Sequence, residues 1–414
     1  MAPPIVAGGI TALMVVYIAL APGLILLCWG LARRRLGEGS IWLLPLIWFG
    51  VEWFKGWFLT GMPWLSLGYA HNESPLAGFA PLVGVYGIGA LCVVLAVCLV
   101  QAIDCRRYAP LLLWLLLPLA GFGLKQVDWT EPLPNPLRAT MVQGNIPQQL
   151  KWRSDQYANI FNTYWRETGR YWDSDLIIWP ETALPGNSLQ IRDSLIPTLQ
   201  AAATEQGTTL LSGLVYGESG TRQFYNSVMQ FGAETGVYHK RHLVPFGEFY
   251  PMRWLLDLFS GLISIPYSDL SSGPDEQPLM RVGEFYLGVS ICWEDVFSRD
   301  INLALPQANL LVNVSNDAWF GDSTAPHQHL QIAQMRSLET ERAMMRATNN
   351  GISAFIDYKG GIIELSEQFR IDSISASVQA RRGVTPFYYF AKLQWLFALL
   401  PLALIGWGVI RRKA

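Results

Sequence analysis

Uncharged stretches long enough to cross a membrane stand at both ends of this chain, and they limit its fold more than any other feature. From Ile5 to Leu31 no residue carries a charge, and a hydrocarbon core of roughly 30 Å needs only about 20 apolar residues to cross it. The run has no basic stretch ahead of it, exceeds the apolar core of a secretion signal and is followed by more of its kind, so it reads as a spanning helix. Further spans are expected at about 41–59, 76–102 and 108–124, giving four over residues 1–126, and a fifth is expected within 386–414. Glu52 and Lys55 interrupt the second. Three residues apart, they share a helical face and can pair or reach an interface.

Lysine and arginine clusters beside short loops stay on the cytoplasmic side of a membrane. Arg33 to Arg35, Arg106-Arg107 and Arg411 to Lys413 satisfy that rule with five spans, which places the block between Leu137 and Thr385 outside. The same topology puts Met1 to Pro4 outside with no helix ahead of them, and so predicts that helices are missing from the N-terminus. Composition fits a membrane part joined to a globular part: 51% hydrophobic, 15% charged, with a mean hydropathy of +0.23. A net charge of -2 without a basic stripe argues against nucleic acid as a partner. The five cysteines lack the regular spacing of a disulfide framework or a zinc site.

Residues 127–136, rich in proline, read as a stiff linker. Beyond it the pattern alternates between strands and helices. Strands are expected at 139–143, 176–179, 209–215, 227–231, 285–292, 310–314 and 352–357, and helices at 154–171, 193–206 and 329–346. Residues 137–385 therefore read as one α/β domain between membrane helices.

Cys292 is the only cysteine of that domain, and it stands shortly after the apolar run Phe285 to Val289. Attack by a thiol requires a base or cation to produce the thiolate, and donors for the oxyanion that forms. Two other strand ends supply such groups: Trp179-Pro180-Glu181, and Tyr238-His239-Lys240-Arg241-His242 with Glu248 shortly after. Alone, each has a plain structural reading as a cap, a solvated charge run or a core thiol.

Together, a Glu, a Lys and a Cys in this chain order, each beside a strand-like segment, resemble the nitrilase superfamily. His242 to Glu248, Ile291-Cys292-Trp293-Glu294, Val314 to Gly321 and Arg346 to Gly351 look like motifs of its apolipoprotein N-acyltransferase family, as do Glu52 to Gly56 and Thr60 to Trp64 in the membrane part. The resemblance implies a four-layer αββα nitrilase-like domain on the periplasmic side of a bacterial inner membrane. It also implies transfer of an acyl chain from a phospholipid, by way of a Cys thioester, to the α-amino group of the diacylglyceryl-cysteine of an apolipoprotein, with no cofactor. Glu181 matches the general base, Lys240 the triad lysine and Cys292 the nucleophile. Glu248 and Glu294 would assist, and Trp152 and Trp293 would meet substrate near the thiol. The family usually carries seven helices before the domain; four are counted here. The rival enzyme is a membrane-anchored amidase that passes the acyl group to water. A transporter is disfavoured by the scarcity of intramembrane charges.

Overall fold

The computed structural model describes residues 4–251 and 270–411. Met1 to Pro3, Arg412 and Lys413, which enter the topology argument, lie outside them. The chain forms two compact units. Of the described residues, one comprises 4–127, 250–251 and 389–411, and the other 128–249 and 270–388.

The first unit is helical: α1 (Pro4–Leu36), α2 (Leu44–Lys55), α3 (Ala80–Ile103) and α4 (Pro110–Leu124), with most of a helix that begins in the other unit, described below. Three stretches, Thr11–Leu36, Pro75–Ile103 and Pro386–Gly406, are long and apolar enough to cross a membrane, and α4 is a shorter apolar helix. The expected span at 41–59 is not continuous. Its α-helix has 12 residues, about 18 Å of rise, and 3-10 turns at Glu38–Leu43 and Phe58–Thr60 flank it. The backbone leaves helical geometry at Leu59, Thr60 and Gly61, all with positive φ. Glu52 and Lys55 do pair, at 2.9 Å. Gly50 lets α2 approach closely, because a Cβ there would stand 2.7 Å from the Ala398 carbonyl oxygen.

The second unit holds two six-stranded sheets. One has the order β12-β1-β2-β3-β4-β5, from β1 (Glu131–Gln143), β2 (Leu176–Ile178), β3 (Thr209–Gly217), β4 (Phe224–Phe231), β5 (Gly236–His239) and β12 (Asp372–Arg382). The other has the order β11-β10-β9-β8-β7-β6, from β6 (Met280–Val282), β7 (Phe285–Ile291), β8 (Leu310–Ser315), β9 (Met344–Thr348), β10 (Ala354–Ile356) and β11 (Ile362–Leu365). Alternation sorts their side chains. Leu137, Ala139 and Met141 of β1 meet Leu310, Val312 and Val314 of β8 in one core between the sheets. Outer residues of the first sheet pack on α5 (Tyr157–Thr168), α6 (Ser188–Ile191) and α7 (Leu195–Gln206). Those of the second pack on α8 (Ser298–Asn302) and α9 (Ala325–Thr340). The result is the expected four-layer αββα order, and α10 (Pro386–Arg411) follows it.

Two boundaries differ from expectation. The prolines of the expected linker lie inside β1, paired to β12 across a register break between Pro132 and Pro136. They are tolerated because β2 pairs only with Ala139 to Met141, so no ladder on that side needs their missing N–H groups. The helix expected at 329–346 ends at Thr340, where Glu341 turns left-handed with φ 47°, and the chain re-enters the sheet as β9.

Candidate active site

Open α/β sheets bind ligands beyond the carboxyl ends of their parallel strands. β2 and β7, each flanked by a parallel neighbour, stop at Ile178 and Ile291, and the chain beyond them leads to Glu181 and Cys292. The Glu181 turn is pinned from below. Fully buried Trp179 donates from its indole N–H to Thr168 Oγ1 at 2.8 Å and stacks on Tyr164 with ring centroids 5.1 Å apart, a contact of about 0.5–1.5 kcal/mol beyond its burial. β3 passes so close that a Cβ on Gly213 would lie 2.6 Å from the Glu181 Cα. Only glycine fits there.

Lys240 follows β5 directly and is 1% exposed. Its ammonium sits 2.9 Å from Glu248 and 3.7 Å from Glu181 Oε1. Asn226 of β4 ties the carboxylates together, donating to Glu181 Oε1 and to Glu248 Oε1 at 2.7 Å each. Burial opposes the Lys240 charge, but Glu248 and then Glu181 outweigh it and hold the pKa above the ordinary lysine value. Lys240 therefore stays charged.

Cys292 is half-buried with φ 51°, in the left-handed region. Burial raises its thiol pKa, the Glu181 carboxylate raises it further, and Lys240 offsets part of this. The resting group is therefore a thiol. Asn313 on β8 donates to the Cys292 carbonyl at 3.2 Å and accepts from Arg346 at 2.7 Å. Arg346 also reaches Asp295 and Asp317, which both contact His329, so a buried charge network stands behind Cys292.

Glu294 is fully buried and gathers donors from both sheets. Its oxygens accept from the Ile291 N–H and the Arg241 N–H at 2.6 Å each, and from the Tyr238 hydroxyl at 3.0 Å. Burial lifts its pKa to about 7. It fastens the Lys240 strand end to the Cys292 strand end.

Glu181, Lys240, Glu248, Cys292 and Glu294 thus form one cluster. Trp293 is half-buried, its ring edge-on to Phe297. Trp152 is 51% exposed on the outer side of its turn. Its neighbour Lys151 is the one turned inward, and sequence reasoning missed it together with Asn226 and Asn313, while it marked Arg346 only as the start of a motif. Lys151 Nζ donates to the Glu181 backbone carbonyl at 2.8 Å.

The family model for carbon-nitrogen hydrolases matches residues 138–386, and that for the apolipoprotein N-acyltransferase N-terminal domain matches residues 1–98. An apolipoprotein N-acyltransferase of Methylococcus capsulatus is 40% identical over 415 residues, spanning 98% of this chain and 81% of that protein. One of Nitrosomonas europaea is 40% identical over 402 residues, spanning 94% and 79%. Among solved structures, Saccharomyces cerevisiae Nit3, a member of branch 10 of the nitrilase superfamily, is 18% identical, with 60% of this chain and 91% of that chain covered and a TM-score of 0.46. With the apolar helices and the sheet-bearing unit both matched, and relatives aligned over nearly its whole length, the chain belongs to the apolipoprotein N-acyltransferase family.

Proposed function

We propose that this chain takes an acyl chain from a membrane phospholipid and places it on the α-amino group of the diacylglyceryl-cysteine that begins an apolipoprotein. The observation that carries the reading is the double match. A hydrolysing amidase accounts for residues 138–386 but not for the N-terminal match over residues 1–98. The basic clusters at Arg33 to Arg35 and Arg106-Arg107 support a cytoplasmic side for those helix ends. The catalytic domain would then be periplasmic, carried by the inner membrane.

Glu181 is the base. Asn226 occupies its Oε1, and Oε2 takes the thiol proton as Cys292 attacks the phospholipid ester. Lys240, held cationic by Glu248, and the backbone N–H after Cys292 stabilise the tetrahedral oxyanion. Collapse breaks the ester C–O bond, and Glu181 returns its proton to the departing lysophospholipid alkoxide. A thioester remains on Cys292. The lipoprotein amine then attacks it, an amide forms and the thiol is regenerated, so kinetics are ping-pong.

Incubation with phospholipid and a diacylated lipopeptide tests the reading. An N-acylated lipopeptide is expected. Release of free fatty acid with no acylated peptide would establish a hydrolase instead.

A further inference from the structure

Lys151 and Lys240 are the two buried lysines among the described residues, at 2% and 1% exposure. The mechanism above uses only Lys240. Turns closed by Leu150 N–H to the Pro147 carbonyl and Arg153 N–H to the Leu150 carbonyl aim Lys151 inward, while Trp152 points out. Its Nζ comes to rest 2.8 Å from the backbone carbonyl of Glu181, the residue assigned as base.

The two ammonium groups are held in different ways. Lys240 is gripped by the carboxylate of Glu248 and lies near that of Glu181, so losing its proton would leave buried carboxylates without their cation. Lys151 is held by a neutral carbonyl. A neutral primary amine still donates to that oxygen, though less strongly than an ammonium, so Lys151 can lose or gain a proton and keep its contact. Burial lowers its pKa to about 8, against the opposing pull of Glu181 and Cys292.

The amine half of the reaction needs such a group. An α-amino group has an ordinary pKa of about 7.7–8.0, so near neutrality it arrives largely as ammonium. Two protons must leave that nitrogen before it becomes an amide, one ahead of attack and one after it. The departing thiolate recovers one of them through Glu181. The other has no destination among Glu181, Lys240 and Glu248.

Resting on the acyltransfer reading, we propose that Lys151 accepts the first proton of the incoming lipoprotein ammonium, which fits the site to amines over water. An N–H bond of the ammonium breaks as an N–H bond forms on Lys151 Nζ, and the freed lone pair attacks the thioester carbon. The C–S bond then breaks, the second amine proton reaches Cys292 Sγ by way of Glu181, and Lys151 releases its proton to solvent. Water needs only a single proton removed, and Glu181 suffices for that.

The test separates the half-reactions in the membrane-embedded chain, helices included. Acylation of Cys292 by phospholipid is followed by mass, and acyl transfer from the loaded enzyme is followed to a diacylated lipopeptide and to hydroxylamine, an amine already neutral at pH 7. Lys151→Met removes the amine. Lys151→Arg keeps a cation and a donor but cannot titrate, so a loss in it does not come from an emptied site. For both variants the expected result is a fall in lipopeptide transfer at pH 7 about 10²-fold larger than any fall in acylation. That loss should shrink as pH rises past 8, with hydroxylamine transfer following acylation. Equal losses in both half-reactions, equal losses with both acceptors, absence of rescue at high pH, or no loss would each overturn the proposal. A wild-type enzyme that forms no acyl-Cys292 would instead remove the acyltransfer reading on which it rests.

Discussion

Cys292 occupies a backbone region that non-glycine residues enter at a cost of order 1 kcal/mol. It is kept there by Asn313 on its carbonyl and by Glu294 on the preceding N–H. In phospholipid without acceptor, an acyl mass on Cys292 is expected by mass spectrometry, and none in Cys292→Ala under any condition. Asn226 is the less obvious dependency, because one amide nitrogen serves both Glu181 and Glu248. Asn226→Ala should lower kcat about 10²-fold with KM little changed, since it disorients the base and the anchor of Lys240 without touching lipid. A change confined to KM would remove Asn226 from this role. Glu181 and Cys292 were legible because each follows an apolar run, Lys240 because it stands between them in chain order, and Glu248 and Glu294 because they lie in motifs that resemble the family's. Asn226 was not, because it reaches the site through the antiparallel register that sets Val215 opposite it. Lys151 was hidden by its context, a polar turn in which Trp152 drew attention and the neighbouring lysine looked like a solvated charge.

Strand ends set the spacing of these groups, and the most apolar strands were easiest to read. β7 and β8 alternate Phe, Leu, Val and Ile toward the inter-sheet core. β12, with its serines, alanines and charges, and β1, with its prolines, were obscured by composition. β9 was absorbed into the preceding helical pattern because nothing in Glu341 announces a left-handed turn. Glu294 joins the ends of β5 and β7, and its pKa near 7 makes that junction pH-sensitive. The folded unit keeps a proton on Glu294 up to about pH 7, whereas the unfolded chain releases it near the ordinary 4.5. The stability due to that proton is therefore full below about pH 4.5 and is lost as pH rises toward 7, on the order of 3 kcal/mol in all. Glu294→Gln resembles the protonated form at every pH. Wild-type stability relative to that variant should fall between pH 5 and 7, measured by chemical denaturation in detergent at several pH values. Parallel curves for the two proteins would discard the shift.

The whole chain joins a sheet-bearing unit to apolar helices, and under the proposed acyl transfer a phospholipid donor gives that joining its purpose: the thiol would have to work where lipid esters lie. The sequence conveyed this division plainly, since the charged and uncharged stretches are long. It did not convey that the segment around α2 breaks into a short helix between 3-10 turns, because its mean apolarity matches that of a spanning helix. Sidedness is testable with a native probe. Cys105 is exposed and immediately precedes Arg106-Arg107, so the positive-inside argument puts it on the cytoplasmic face. Asp173, with a side chain 73% exposed in the catalytic unit, marks the other side when replaced by cysteine. In intact spheroplasts a membrane-impermeant maleimide should label the Asp173→Cys variant at that site and leave Cys105 untouched. Disrupted membranes should label both, and Cys105→Ala should abolish the second signal. Labelling of Cys105 in intact spheroplasts would invert the topology. The thiol would then face the cytoplasm, and a periplasmic acceptor lipoprotein could not reach it.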